Sequence, residues 1–319
     1  MSLDRLSPVR RTLLVVATAT LALAPSACGS DSGAGPDDGL LVVAGFYPLA
    51  HVATEVGGEH VTVVNLTNPG TEPHDLELSP RSVGSVADAD LALHLSGFQP
   101  AVDDAIAHSG TPALDAADHV DLITYGSTDH DHDHDDTDHD HAPEEGSTDP
   151  HFWLDPTRLV VLAHQVAADL AALDPDNAAD YRANAERLAA ELEDLDEDLA
   201  AGLAECEDRT LVTSHDAFRY FAARYDLEAV SIAGLSPSHE PSPGALADLS
   251  DFLAEAEVGT VYFETLVDPA IATTLADEVG AETAVLDPVE GVTDASAGDD
   301  YSEIMRANLE TVRTGQRCA

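Results

Sequence analysis

The sequence predicts an α/β protein of two βα lobes with parallel sheets, joined by one long rigid helix. Three observations carry that prediction. Apolar runs of strand length alternate with helical stretches, the pattern of βα units. The alternation occurs twice along the chain. Between the two series lies a helical stretch too long for an ordinary crossover. In the first series the strands are LLVVAGFY (40–47), HVTVVNLT (60–67), DLALHL (90–95) and a weaker HVDLITY (119–125). A short helix begins at Pro48, and others are expected near 79–88 and 100–108. Two helices follow DPHFWLDP, the second over 177–205 and opening at DPDN, a good capping sequence. Its apolar residues Tyr181, Ala185, Leu188, Leu192, Leu195, Leu199 and Leu203 recur at intervals of three and four, one face of a helix. Its other face is charged, so it suits a spine along two lobes; the alternative is a coiled-coil arm. The second series has strands RTLVTS (209–214), LEAVSI (227–232), GTVYFE (259–264) and ETAVLD (282–287), with helices near 216–225, 243–256, 268–278 and 299–313. The expected N-terminal lobe is therefore 40–176, the linking helix 177–205 and the C-terminal lobe 206–319.

The chain has 319 residues and a formal net charge of −48, with no lysine. That sign argues against binding nucleic-acid backbones or anionic membrane surfaces and favours solubility and attraction of cations. An acidic proteome gives the same composition. At the N-terminus, Arg5, Arg10 and Arg11 precede the apolar run TLLVVATATLALA, which is too short to span a membrane as a mature helix. Residues 1–27 read as an export signal and 28–39 as a flexible tether. The stretch APSACGS resembles a bacterial lipobox, with Cys28 as the lipidated residue; Pro25 stands where an aliphatic residue is usual. Lipidation would leave Cys206 and Cys318 in a compartment where disulfides persist. A bridge between them is the expectation, and two unpaired thiols the alternative.

Segment 126–149 breaks the βα pattern. It is charged, of low complexity and short of apolar surface to bury, and it reads as a long mobile loop. It carries His130, His132, His134, His139 and His141 among seven aspartates between Ser127 and Pro143. Other histidines stand where ligands are held in open α/β sheets, beyond the carboxyl ends of strands. His74 lies in TEPHDLELSP, His151 in DPHFWLDP just past the loop, and His215 in VTSHDAF between a strand and a helix. Asp287, in AVLDPVEG, follows the last strand. Two positions in each lobe can converge in the cleft between them. Three imidazoles and a carboxylate suit zinc, while manganese tolerates more oxygen ligands. Each histidine taken alone is equally readable as an ordinary loop residue.

The segments FYPLAHVATEVGG, NPGTEPHDLELSPRSVGSVADADL, DPHFWLDP, TSHDAFRYFAARYDL, GLSPSHEPSPGALADL and LDP occur in this order. Together they resemble the metal-binding lipoproteins of bacterial zinc and manganese ABC importers, the cluster A-I or zinc-uptake solute-binding family, over roughly 40–319. The resemblance implies two lobes bridged by a rigid helix, with the metal in the cleft. It implies His74, His151 and His215 as ligands, with histidine at the third position marking zinc-type members, and Asp287 as the last ligand. In some zinc binders water or a glutamate takes that last place. It also implies that the His-rich loop is an accessory, weaker metal binder; a solvated insertion with no essential role is the other reading.

The implied function is a monomeric, non-enzymatic, extracytoplasmic carrier. It would deliver Zn2+, with Mn2+ the alternative, to an ABC permease driven by a cytoplasmic ATPase, and touch the membrane only through a lipid anchor. A surface metal-binding adhesin is the competing class. The sequence contains neither a Walker loop nor HExxH, and no general base of a zinc hydrolase is assignable.

Overall fold

The computed structural model describes residues 39–125, 147–238 and 241–319. Cys28, the export signal and tether, the five histidines of the acidic segment and His239 lie outside the described residues.

The first sheet holds β1 (Leu40–Ala44), β2 (Val61–Asn65), β3 (Leu91–His94) and β4 (Ala113–Asp115), in the order β2-β1-β3-β4 and all parallel. The second holds β5 (Thr210–Thr213), β6 (Glu228–Ser231), β7 (Thr260–Phe263) and β8 (Glu282–Val285), in the order β6-β5-β7-β8, again parallel. Central strands are apolar on both faces because helices cover both sides. In β1, Val42, Val43 and Ala44 are all buried.

The helices are α1 (Tyr47–Gly57), α2 (Pro80–Asp88), α3 (Pro100–Ser109), α4 (Pro156–Leu173), α5 (Ala178–Leu203), α6 (Arg219–Arg224), α7 (Pro243–Glu255), α8 (Ala270–Val279) and α9 (Tyr301–Gly315). Several start where the sequence supplies a proline in the first turn, which needs no backbone N–H there: Pro48, Pro80, Pro100, Pro156 and Pro243. Ser79, Asp155, Ser242 and Asp300 cap their helices by accepting from exposed first-turn amides. Helices α2 and α3 cover the outer face of the first sheet through Val86 and Val102. Helices α7 and α8 cover the outer face of the second through Leu253 and Leu275. The inner faces share one continuous core that runs through both lobes.

That core is threaded by α5, whose 26 residues span about 39 Å. All seven apolar positions read from its periodicity are buried. It packs on α1 and α4 in the first lobe and on α9 in the second. Polar links fix it to both lobes. Asn184 Nδ2 donates to Val56 O of α1, and Asp196 takes a two-pronged ion pair from Arg224 of α6. Beyond its C-terminus Cys206 is bonded to Cys318, at the end of α9.

Two expectations are corrected. Residues 119–125 do not form a strand; the fourth strand is the three-residue β4. Asp115 ends it by accepting from Ala117 N and turning the chain into a 3-10 turn. Residues 123–125 instead pair antiparallel with 147–149, through Tyr125 N to Ser147 O (2.9 Å) and Asp149 N to Ile123 O (2.8 Å). Residues 147–149, expected within the mobile loop, are therefore part of the folded structure, and Asp149 is completely buried. Among the described residues, no helix is long and apolar enough to cross a membrane.

Candidate metal centre

His74 sits on the connection between β2 and α2. Gln99, just before α3, holds that connection by donating to Thr67 Oγ1 (3.0 Å) and Pro73 O (3.1 Å). A Cβ at residue 45 would meet Gln99 Oε1 at 2.5 Å, so the chain carries Gly45 beside it. The His74 ring packs edge-on against Phe98 with centroids 4.8 Å apart.

His151 follows the buried Asp149, whose Oδ1 accepts from His151 N at 3.0 Å and lies 2.8 Å from Nδ1. Trp153 packs beside His151 at 5.2 Å between centroids, and Phe152 packs on Trp153. Tyr220 of α6 donates to Asp149 O and accepts from Ile123 N, tying this segment to the second lobe.

His215 lies just past β5, and Glu264 just past β7, its neighbour in the sheet. Strand order reverses between these two strands, which opens a crevice at their carboxyl ends. Glu264 accepts from His215 N at 3.1 Å and lies 2.7 Å from its Nδ1. Asp216 is turned away to Tyr125 Oη and is not part of the group.

These segments bring His74, His151 and His215 together with Glu290. Asp287 does not join them. Its backbone N donates to Asn308 Oδ1 (3.0 Å) and its Oδ1 accepts from Val289 N (2.8 Å), so one carboxylate oxygen is committed to its own turn while Oδ2 is buried without a hydrogen-bond partner. The turn carries Glu290 into the cleft in its place. The Nε2 atoms of His74 and His215 lie 3.2 Å and 3.3 Å from that of His151. Glu290 Oε1 lies 3.4, 3.4 and 3.5 Å from the Nε2 atoms of His74, His151 and His215. A tetrahedron with bonds of about 2.0–2.1 Å has edges of about 3.3 Å. Five of its six edges are thus present at the right length. Glu290 Oε1 is buried and aligned with no hydrogen-bond donor, an arrangement that calls for a cation.

The surrounding carboxylates fix the chemistry of the rings. Asp149 and Glu264 accept the Nδ1 protons of His151 and His215, which leaves Nε2 to face the cation. Burial alone would lower the pKa of both imidazoles; Asp149 and Glu264 outweigh it, raising His151 and holding His215 well above the ordinary value. His74, without such a partner on its Nδ1, is lowered by burial. Burial pushes Glu290 up, but the converging imidazoles dominate and hold it well below the carboxylate range. Glu72, which accepts from His74 N, is pushed up to about 7 by burial and by Glu290. The acidic lining attracts a dication and repels anions. Glu264→Gln is expected to weaken metal binding by about 10–100-fold, the usual cost of losing such a carboxylate. Competition against a chromophoric zinc chelator reads this, and an unchanged affinity would contradict the positioning assigned to Glu264.

The histidines given no role in the sequence make local bonds: His60 with Asp180, His94 with Asp103, and His108 with Asp104 O.

A family model described as zinc-uptake complex component A, periplasmic, matches residues 42–315. The high-affinity zinc uptake system protein ZnuA of Bacillus subtilis is 34% identical over 311 residues, 94% of this chain and 96% of the relative. The zinc-binding lipoprotein AdcA of Streptococcus pneumoniae is 33% identical over 296 residues, 90% of this chain. The chain spans only 57% of the length of that relative. The solved Zn(II)-bound ZnuA-like domain of that protein superposes with a TM-score of 0.71 at 30% identity, covering 87% of this chain and 99% of the domain. The laminin-binding protein of Streptococcus agalactiae, described as bifunctional with adhesin and metal transporting activity, gives 0.75 at 30% identity over 87% and 99%.

Proposed function

This chain belongs to the zinc-uptake complex component A family, and from that premise we propose that it is the zinc-binding component of an ABC importer. It takes Zn2+ into the cleft between its lobes and delivers the ion to a membrane permease driven by an ATPase. His74, His151, His215 and Glu290 hold the ion. The observation that carries this reading is the near-tetrahedral cage of three imidazole nitrogens and one carboxylate oxygen, its edges matched to zinc. Manganese would call for more oxygen ligands and a higher coordination number. Four protein ligands leave no open position for a reactive water, which favours a carrier over a hydrolase. APSACGS supports export and lipidation at Cys28, with the protein acting as a monomer at the outer face of the membrane. The histidines of the acidic segment serve as an accessory, weaker zinc store.

Deleting the gene should arrest growth in zinc-depleted medium, with rescue by added zinc and not by manganese. Growth without a deficit, or rescue by manganese alone, would overturn the reading. The same test separates it from a purely adhesive role, which predicts no zinc requirement.

Zinc uptake should also release protons. His215, and to a lesser degree His151, holds its Nε2 proton to higher pH than an ordinary imidazole in the metal-free protein, and zinc must displace it. Affinity is therefore full above the raised pKa values and falls as pH drops through them. Calorimetry at pH 7 in buffers of different ionisation enthalpy should report at least one proton released per zinc. Identical heats in all buffers would refute the protonation assigned to the empty cleft.

A further inference from the structure

Among the described residues, four non-glycine residues have positive φ: Asp226, Glu257, Val289 and Arg317. Three are exposed. Val289, at φ 57°, is fully buried and β-branched, the side-chain type least suited to the left-handed region. It immediately precedes Glu290.

The chain before Glu290 is clamped. Asn308 donates to Asp287 O (2.7 Å) and accepts from Asp287 N (3.0 Å). Val289 N donates to Asp287 Oδ1, and Trp153 Nε1 donates to Pro288 O (2.8 Å). After Glu290, Val292 packs partly buried against the core, and Ser296 Oγ accepts from Thr293 N (3.2 Å). A Cβ at Gly291 would meet nothing within 4 Å. Glu290 is thus delivered by an arm that side-chain hydrogen bonds fix as far as Val289, where its backbone is strained. Its oxygen reaches from the second lobe to His74 and His151 of the first.

We propose that Val289 is a positioning residue whose strained backbone makes Glu290 the ligand that leaves zinc first, so that the arm 287–290 sets the rate of release. The inference rests on the cleft being the zinc site. The left-handed conformation at residue 289 raises the energy of the ligated arm. Withdrawal of Glu290 lets the residue return to an ordinary φ and opens the cage. A residue at ease with positive φ removes that push and holds the ion longer.

The test compares Val289→Gly with Val289→Ala. Both lose the valine side chain, but only glycine accepts positive φ without cost. Zinc dissociation into excess chelator, followed by stopped flow, should be about ten-fold slower for glycine than for alanine, equivalent to about 1.4 kcal/mol, with similar association rates. Equal rates, or faster release from glycine, would overturn the proposal. A purely packing role shifts folding stability and leaves the two rates equal. Should either truncation fail to fold, Val289→Asn against Val289→Thr makes the same comparison at near-constant volume, with asparagine slower. His215→Ala is run alongside. If it releases zinc like the parent protein, the cleft is not the site; if it loses zinc while glycine and alanine match, only the arm's role fails.

Discussion

Replacing His215 by alanine should weaken zinc binding by more than about 100-fold, beyond the cost of losing an outer carboxylate. Replacing residues 127–146 with a short glycine linker should leave tight binding in place. His215 is completely buried and supplies one corner of the cage. Alanine removes that corner and leaves the buried Glu264 carboxylate without the ring it holds at 2.7 Å. A water molecule can fill the space but not the rigid geometry. The acidic segment is different. Its composition, imidazoles among aspartates with few apolar residues, predicts no packed core to hold ligands in place, so binding an ion there is expected to cost chain entropy. Its base is closed independently by the Tyr125–Ser147 and Ile123–Asp149 hydrogen bonds, so a linker can replace it without moving His151. Isothermal calorimetry with zinc reads both variants. Tight binding that survives His215→Ala and disappears with the segment would place the site elsewhere.

The second large effect concerns the fold. Cys206→Ser with Cys318→Ser should lower the unfolding free energy of the metal-free protein by about 2–5 kcal/mol, most of it from added freedom of the unfolded chain. The bridge joins residues 112 apart and encloses the whole second sheet. It also ties α9 to the end of α5. Asn308, on α9, is the residue that clamps Asp287. Denaturant unfolding under oxidising and reducing conditions measures the loss. Equal stability in both conditions would show that packing of α9 against α5 alone carries the C-terminal segment.

Much of this architecture is legible in the residues because apolar periodicity and chain punctuation are local signals. The stripe from Tyr181 to Leu203 sets α5, and prolines mark helix starts. His74, His151 and His215 are legible because each stands where a βα unit presents ligands or just before a new helix. What was missed depends on tertiary geometry. Strand β4 is three residues long, too short for a period-two pattern, while the longer run 119–125 finds its partner across the acidic segment. Glu264 matters because β7 lies next to β5, and strand order is not written in either segment. Asp149 carried a visible signal, standing two residues before His151, but lay inside a stretch whose composition argued for a loop. Asp287 reads as the ligand because it follows the strand directly and matches the family's aspartate, while Glu290, three residues further on, has no local signal. The turn that swaps them needs a left-handed valine, which no propensity would suggest.

Anomalous diffraction at the zinc edge, from crystals of the protein loaded with one equivalent of zinc, tests the central claim most directly. The expected result is one strong peak bonded to Nε2 of His74, His151 and His215 and to Oε1 of Glu290, with Asp287 still accepting from Val289 N. A peak outside the cleft, or one in the cleft bonded to Asp287 while Glu290 points away, would contradict it.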